Sequence, residues 1–215
     1  MGIYSSSIPK RYDTFIYKSR FAVFKVFKYG DKMGDIKIEN VVASATIAKE
    51  LDLNKISALL EDAEYDPDQF PGLVYRLEKP KTASLLFRSG KIVCTGAKSI
   101  DDVKVAIVEV TKTVNKIGIS TYEDPDVKVQ NIVATTSLDS EINLNSIAIS
   151  LSLDKVEYEP EQFPGLVYRM DDPKVVMLLF GSGKIVCTGA QNVGDVTIAI
   201  KKITEELTQA GLIKK

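Results

Sequence analysis

Residues 70–76 read FPGLVYR, and residues 163–169 read FPGLVYR again. The match runs well beyond that heptapeptide. With the chain displaced by 93 residues, positions 65–97 and 158–190 agree at 24 of 33 places, including SGKIVCTGA at 89–97 and 182–190. Upstream the offset falls to 91, where IENVVAS at 38–44 faces VQNIVAT at 129–135. Two residues have therefore been added to the second copy between Ser140 and Tyr158. A self-match of this strength makes the chain two copies of one folding unit.

Each copy carries the same series of periods. Residues 36–44 alternate as a strand, with Asn40, Val42 and Ser44 on one side and Val41 and Ala43 on the other. A short helix follows, with Leu51, Ile56, Leu59 and Leu60 as its apolar positions, and 63–66 fits an edge strand. Residues 73–77, 82–88 and 92–96 make an antiparallel meander turned at Pro80 and at Ser89-Gly90. The period then lengthens. Ile100, Val103, Ile107, Val110, Val114 and Ile117, closed by Gly118, follow a three-four spacing, as do Val193, Val196, Ile200, Ile203, Leu207 and Ala210, closed by Gly211. The prediction is an α+β fold of two βαββββα repeats, ten antiparallel strands and four helices. The boundaries expected are an extension over 1–34, disordered or arising from a misassigned start, and repeats over 35–123 and 124–215.

An antiparallel sheet with helices on one side normally turns polar residues outward on the other. These strands do not. Val41, Ala43, Leu86, Ile92 and Cys94 make one apolar face, yet Val42, Leu85, Phe87 and Val93 make a second, broken only by Asn40 and Thr95. The second copy repeats this with Val133, Leu178, Phe180 and Val186 beside Asn131 and Thr188. Four helices, two of them short, can cover one face of ten strands but hardly both, and a large uncovered apolar face is a binding surface. Basic residues recur at strand ends: Arg76, Lys81 and Lys91, then Arg169, Lys174 and Lys184. An apolar centre, a few amide and hydroxyl groups and a basic rim suit a DNA minor groove, where A·T pairs offer only acceptors.

The remaining composition narrows the class. Histidine is absent, which removes the usual general base and the commonest metal ligand. The two cysteines, Cys94 and Cys187, are repeat equivalents read as buried thiols, and no cofactor or metal is expected. No apolar run reaches the roughly 20 residues that cross a bilayer, so no membrane partner is expected and an intracellular location is. Residues 1–32 carry a net charge of +5 and the remainder −6. An acidic body binds nucleic acid only through a local patch.

The paired FPGLVYR and SGKIVCTGA segments, the asparagine in each first strand and the repeat length of 91 to 93 residues resemble the TATA-box-binding protein family over about 35–213. FPG in both copies is more like archaeal than eukaryotic members. The resemblance implies a pseudo-two-fold saddle, a curved ten-stranded sheet with helices on its convex back and double-stranded promoter DNA in its concave side; this family is itself the standing example of a minor-groove binder that kinks DNA. It implies wedges at Phe70 and Phe87 and at Phe163 and Phe180, base contacts from Asn40, Asn131, Thr95 and Thr188, and apolar contacts from Val42, Val93, Val133, Val186, Leu85 and Leu178. Phosphate contacts would fall to Arg76, Lys81, Lys91, Lys98, Arg169, Lys174 and Lys184. Glu157, Glu159 and Glu161 would meet transcription factor B, and through it RNA polymerase.

The function implied is a non-enzymatic initiation factor, cytoplasmic and nucleoid-associated, or nuclear if eukaryotic, with a homodimer as a further expectation in the absence of DNA. Lys98 faces Gln191 and Arg88 faces Gly181, so the second half is expected to hold phosphates less well. Two other readings stay open on the residues: a related saddle module of a nuclease or repair system, and a carrier of hydrophobic ligands.

Overall fold

The computed structural model describes residues 16–19, 22–25, 35–152 and 154–213. The chain divides into two compact units, Met1–Lys32 and Met33–Lys215. In the first, β1 (Ile16–Ser19) and β2 (Ala22–Lys25) pair as an antiparallel ribbon. The expectation of a disordered or misassigned extension otherwise concerns residues outside the described ones.

The second unit is one ten-stranded sheet with four helices. Its first repeat runs β3 (Lys37–Thr46), α1 (Leu53–Leu59), β4 (Ala63–Glu64), β5 (Leu73–Glu78), β6 (Lys81–Leu86), β7 (Lys91–Ala97) and α2 (Ile100–Lys116). Its second runs β8 (Lys128–Ser137), α3 (Leu144–Ser150), β9 (Val156–Glu157), β10 (Leu166–Met170), β11 (Val175–Leu179), β12 (Lys184–Ala190) and α4 (Val193–Gln209). The two short helices keep the offset of 91 and the edge strands that follow keep 93, which narrows the two-residue insertion to the connection between α3 and β9.

All pairings in the sheet are antiparallel, in the order β4-β5-β6-β7-β3-β8-β12-β11-β10-β9. The repeats meet through β3 and β8, where Val41 pairs with Ile132, its own equivalent, while Asn40 pairs with Val133 and Val42 with Asn131. That self-pairing marks the pseudo-two-fold axis. The curved sheet is a saddle with its helices on the convex side.

The core lies between that side and the helices. Val41, Ala43, Leu73, Leu86, Ile92 and Cys94 are fully buried there, as are Ile132, Ala134, Leu166, Leu179, Ile185 and Cys187. Ser99 caps α2 by accepting the N–H of Asp102, and Asn192 caps α4 by accepting that of Asp195. The expected stripes are buried from Val103 to Val114 and from Val196 to Leu207. Val193 and Ala210 are exposed instead, because the first sits in the opening turn of α4 and the second is its C-cap. Leu59 is also exposed, on the outer side of a helix only two turns long. Both cysteines are free, and burial pushes the Cys187 thiol up to about 11.

Candidate nucleic-acid interface

Strand alternation sends every second residue away from the helices. Asn40, Val42, Leu85, Phe87, Val93 and Thr95 are only half-buried while at least one sequence neighbour of each is fully buried, and Asn131, Val133, Leu178, Phe180, Val186 and Thr188 follow the same rule. The register assembles them into rows. Val93 lies opposite Leu85, which lies opposite Val74; Val186 lies opposite Leu178, which lies opposite Val167. Ala83 pairs with Thr95 and Val176 with Thr188. Val74, Val167, Ala83 and Val176 thus belong to the open face although they were not singled out from sequence. The alternation of buried Leu73 and half-buried Val74 was the available signal.

The polar groups on this face are fixed by the backbone. Asn40 Oδ1 accepts the Gly96 N–H at 2.8 Å, and Asn131 Oδ1 accepts the Gly189 N–H at 2.7 Å. A backbone N–H can only donate, so the orientation of each amide is settled. Each Asn Nδ2 then lies 3.1 Å from a hydroxyl, Thr95 Oγ1 in one repeat and Thr188 Oγ1 in the other. Each threonine hydroxyl in turn donates to the same Oδ1 at 3.3 Å, so the second amide hydrogen of each asparagine is what remains to be offered outward, and it is a donor. Farther along the central strands, Gln130 Nε2 donates to Ser44 Oγ at 2.9 Å and Thr135 Oγ1 to Glu39 Oε1 at 3.1 Å. Hydrogen bonds from Lys37 and Thr135 hold the Glu39 carboxyl below its ordinary pKa.

At each end of the face stands an aromatic pair. Phe70 and Phe87 meet edge to face with centroids 6.0 Å apart at 66°, and Phe163 and Phe180 do so at 5.9 Å and 67°. Phe70 and Phe163 are 39% and 38% exposed, a large cost for core residues but not for binding residues. Their loops are set by acidic turns: the Asp66 carbonyl accepts the Phe70 N–H at 2.9 Å, and the Glu159 carbonyl accepts that of Phe163 at 3.0 Å. Glycine is required beneath the rings. A Cβ on Gly72 would stand 2.7 Å from Phe70 Cε1 and 3.0 Å from Phe87 Cε1, and a Cβ on Gly165 would meet Phe163 and Phe180 at the same distances.

The charged candidates divide into two groups. Lys81, Lys91, Lys98, Lys174 and Lys184 are exposed at strand ends. Arg76 is engaged by Glu64 at 2.9 Å, and Arg169 meets Glu157 through Nε–Oε1 at 3.1 Å and Nη2–Oε2 at 3.2 Å. The arginines and Glu157 are therefore not free-standing charges. Glu159 takes a hydrogen bond from Gln162, whereas Glu161 is exposed. No group of three or more metal-ligating side chains and no helix long and apolar enough to cross a membrane occurs among the described residues.

A duplicated sheet with one face packed under helices, and the other apolar, donor-bearing and tipped by exposed aromatic pairs, defines a single-chain saddle protein. The comparisons specify which. The family model described as "Transcription factor TFIID (or TATA-binding protein, TBP)" matches residues 35–117 and 126–210. The TATA-box-binding protein of Picrophilus torridus is 57% identical over 182 residues, covering 85% of this chain and 99% of its own, and that of Archaeoglobus fulgidus is 57% identical over 178, covering 83% and 97%. The solved structure of Methanococcus jannaschii TBP superposes with a TM-score of 0.75 at 52% identity, covering 81% of this chain and 99% of that one. The chain belongs to the TATA-box-binding protein family, and these relatives are archaeal.

Proposed function

We propose that the open face of the saddle receives the minor groove of A·T-rich promoter DNA of the TATA-box type, and that the chain acts as a transcription initiation factor. The observation that carries this reading is the backbone-fixed Asn–Thr pair in each repeat. Outward it presents the asparagine amide as a donor, which the acceptor-only edge of an A·T pair satisfies, and around it lies an apolar plane that cannot accommodate the guanine amino group. Val42, Val93, Val133, Val186, Leu85 and Leu178 form that plane, extended by Val74 and Val167.

Phe70 with Phe87, and Phe163 with Phe180, wedge between base steps at the two ends and bend the duplex. Unstacking costs a few kcal/mol per step, offset by the apolar surface that the widened groove covers. Lys81, Lys91, Lys98, Lys174 and Lys184 hold phosphates, and Arg76 and Arg169 join them if they leave Glu64 and Glu157. The division of labour follows the two repeats, 35–123 and 124–215, with 1–34 as an extension. The acidic turn at Glu157, Glu159 and Glu161 recruits transcription factor B, which brings RNA polymerase and sets the direction of an otherwise nearly symmetric complex.

The wedge is tested by fluorescence energy transfer across an end-labelled TATA duplex. The double variant Phe163→Ala, Phe180→Ala should reduce the bend and weaken binding by about tenfold or more, in line with one to three kcal/mol for each lost aromatic-base contact. A bend identical to that of the unaltered chain would remove the wedge role.

A further inference from the structure

Beside each aromatic pair, the turn between β6 and β7 or between β11 and β12 meets the segment that leads into the short helix of the same repeat. One backbone bond makes that contact in each copy: the Leu51 N–H donates to the Arg88 carbonyl at 3.0 Å, and the Ile142 N–H to the Gly181 carbonyl at 2.9 Å. Positions 88 and 181 are therefore equivalent in placement, each directly after a phenylalanine of its pair. They differ in what they carry. The first holds an exposed arginine and the second no side chain.

At Gly181 a cleft of about 630 Å³ lies open, lined by Leu144, Tyr158 and Pro164 with Glu141 and Asn143 beside them. The first copy keeps Leu53, Tyr65, Pro71 and Glu50 at the matching places, with Asp52 for Asn143. The backbone does not need glycine at 181. Its φ lies outside the left-handed range, and a Cβ there would have the Ile142 carbonyl oxygen, at 3.8 Å, as its nearest neighbour. Gly72, Gly90, Gly165 and Gly183, by contrast, each have an atom within 2.7 Å of where a Cβ would stand. The missing side chain at 181 thus serves no need of the fold; what it does is leave the cleft open.

The acidic turns do not tell the two ends of the saddle apart. Glu157, Glu159 and Glu161 are matched by Glu64, Asp66 and Asp68. A basic partner drawn by charge alone would find two seats.

We infer that the cleft at Gly181 seats an arginine side chain of the partner proposed above, transcription factor B, and that Arg88 excludes that partner from the first repeat. This rests on the partner reading given under the proposed function. The walls and the other copy both specify the occupant. Tyr158 and Pro164 suit the stem and plane of an arginine, while Glu141 and the adjoining Glu159–Glu161 turn suit its charge. At the matching place in the first repeat the chain roots an arginine of its own, which sets a like charge against an incoming one. The cleft is also continuous with the proposed DNA face, since Pro164 follows Phe163 and Gly181 follows Phe180. The seat therefore forms at the edge of the bound duplex, at one end only of a nearly symmetric saddle.

The test is recruitment of recombinant transcription factor B to the full chain on a TATA duplex, followed by gel shift. Gly181→Arg should weaken recruitment by about tenfold or more, as a like charge brought into an interface does, while affinity for the duplex alone does not fall. Gly181→Ala, for which the cleft has room, should recruit within about twofold of the unaltered chain. Adding Arg88→Gly to Gly181→Arg should restore recruitment, now through the first repeat. Undiminished recruitment by Gly181→Arg would overturn the cleft, and so would a loss in Gly181→Ala as large as that in Gly181→Arg or a weaker grip of Gly181→Arg on the duplex alone. No restoration in the double variant would overturn the role of Arg88. If the unaltered chain recruits no factor, the partner reading itself falls; if Glu159→Lys, Glu161→Lys recruits normally while Gly181→Arg does not, the acidic turn falls and the cleft stands.

Discussion

The two repeats agree most closely on the side of the sheet that no helix covers. Asn40 and Asn131, Val42 and Val133, Leu85 and Leu178, Val93 and Val186, Thr95 and Thr188 are the same residue twice, and the two phenylalanine pairs match to 0.1 Å and 1°. The open face departs at Ala83 against Val176, but under the helices, where Leu73, Leu86, Ile92 and Cys94 recur, more positions have drifted: Ser84 against Met177, Thr82 against Val175, Leu77 against Met170, Val41 against Ile132. Packing accepts substitutions that preserve volume and pattern. A surface that must fit an external object twice over accepts fewer. On the proposed function, the open face is held by what it binds and the covered face mainly by its own filling.

The largest effect expected is one that should ignore the difference between copies. Gly90 and Gly183 turn the chain at φ +78° and +82°, and a Cβ there would stand 1.8 Å from the Ala48 carbonyl oxygen and 2.0 Å from that of Ser140. A left-handed alanine alone costs about 1–2 kcal/mol, and the clash with fixed backbone adds to it. Gly90→Ala and Gly183→Ala should each lose about 3 kcal/mol or more in denaturant unfolding, equally within error. A large loss at one site alone would show that the copies are not energetically equivalent.

A smaller effect should separate them. Tyr168 is buried and donates to Glu206 Oε2 at 2.7 Å, and burial with that carboxylate raises its pKa above the ordinary tyrosine value. Tyr75, its equivalent, has Thr113 in place of that glutamate, and Thr113 bonds to the Glu109 carbonyl. Tyr168→Phe should cost about 1–1.5 kcal/mol, the net worth of such a hydrogen bond, and Tyr75→Phe close to nothing. In thermal unfolding this is a drop of about 2–5 °C for the first and none for the second.

The smallest effect concerns DNA. Gln191→Lys should restore to the second repeat the cation that Lys98 gives the first, raising affinity several-fold at low salt and steepening the salt slope by about 0.9. An unchanged slope would mean that position 191 does not face a phosphate.

Much of this was legible in the sequence, for a physical reason. Alternation with period two shows which residues share a face, so the open positions around Asn40 and Asn131 could be named before their register was known. The order of strands across β3 and β8 could not, because pairing between distant segments leaves no local trace. The burial of Leu59, Val193 and Ala210 was over-read from spacing alone, since a helix end or a two-turn helix presents apolar positions to solvent as readily as to the core. Gly72 and Gly165 stand in the FPG of each copy, and only the ring positions show that their missing Cβ seats the phenylalanines. The ion pairs of Arg76 with Glu64 and of Arg169 with Glu157 depend on how the short edge strands pair with their neighbours, a register that the expected edge strand at 63–66 did not reveal.

The central claim is that this face reads a minor groove by its donors and its flat apolar plane. It is tested most directly by measuring affinity for one duplex core made in turn of A·T, G·C and inosine·C pairs. Inosine·C keeps the major-groove pattern of G·C but lacks the amino group in the minor groove. The inosine duplex should bind within a few-fold of the A·T duplex, while the G·C duplex binds at least about 100-fold more weakly, as expected for several mismatched pairs at roughly 1–3 kcal/mol each. Binding of the inosine duplex as poor as that of G·C would contradict the account.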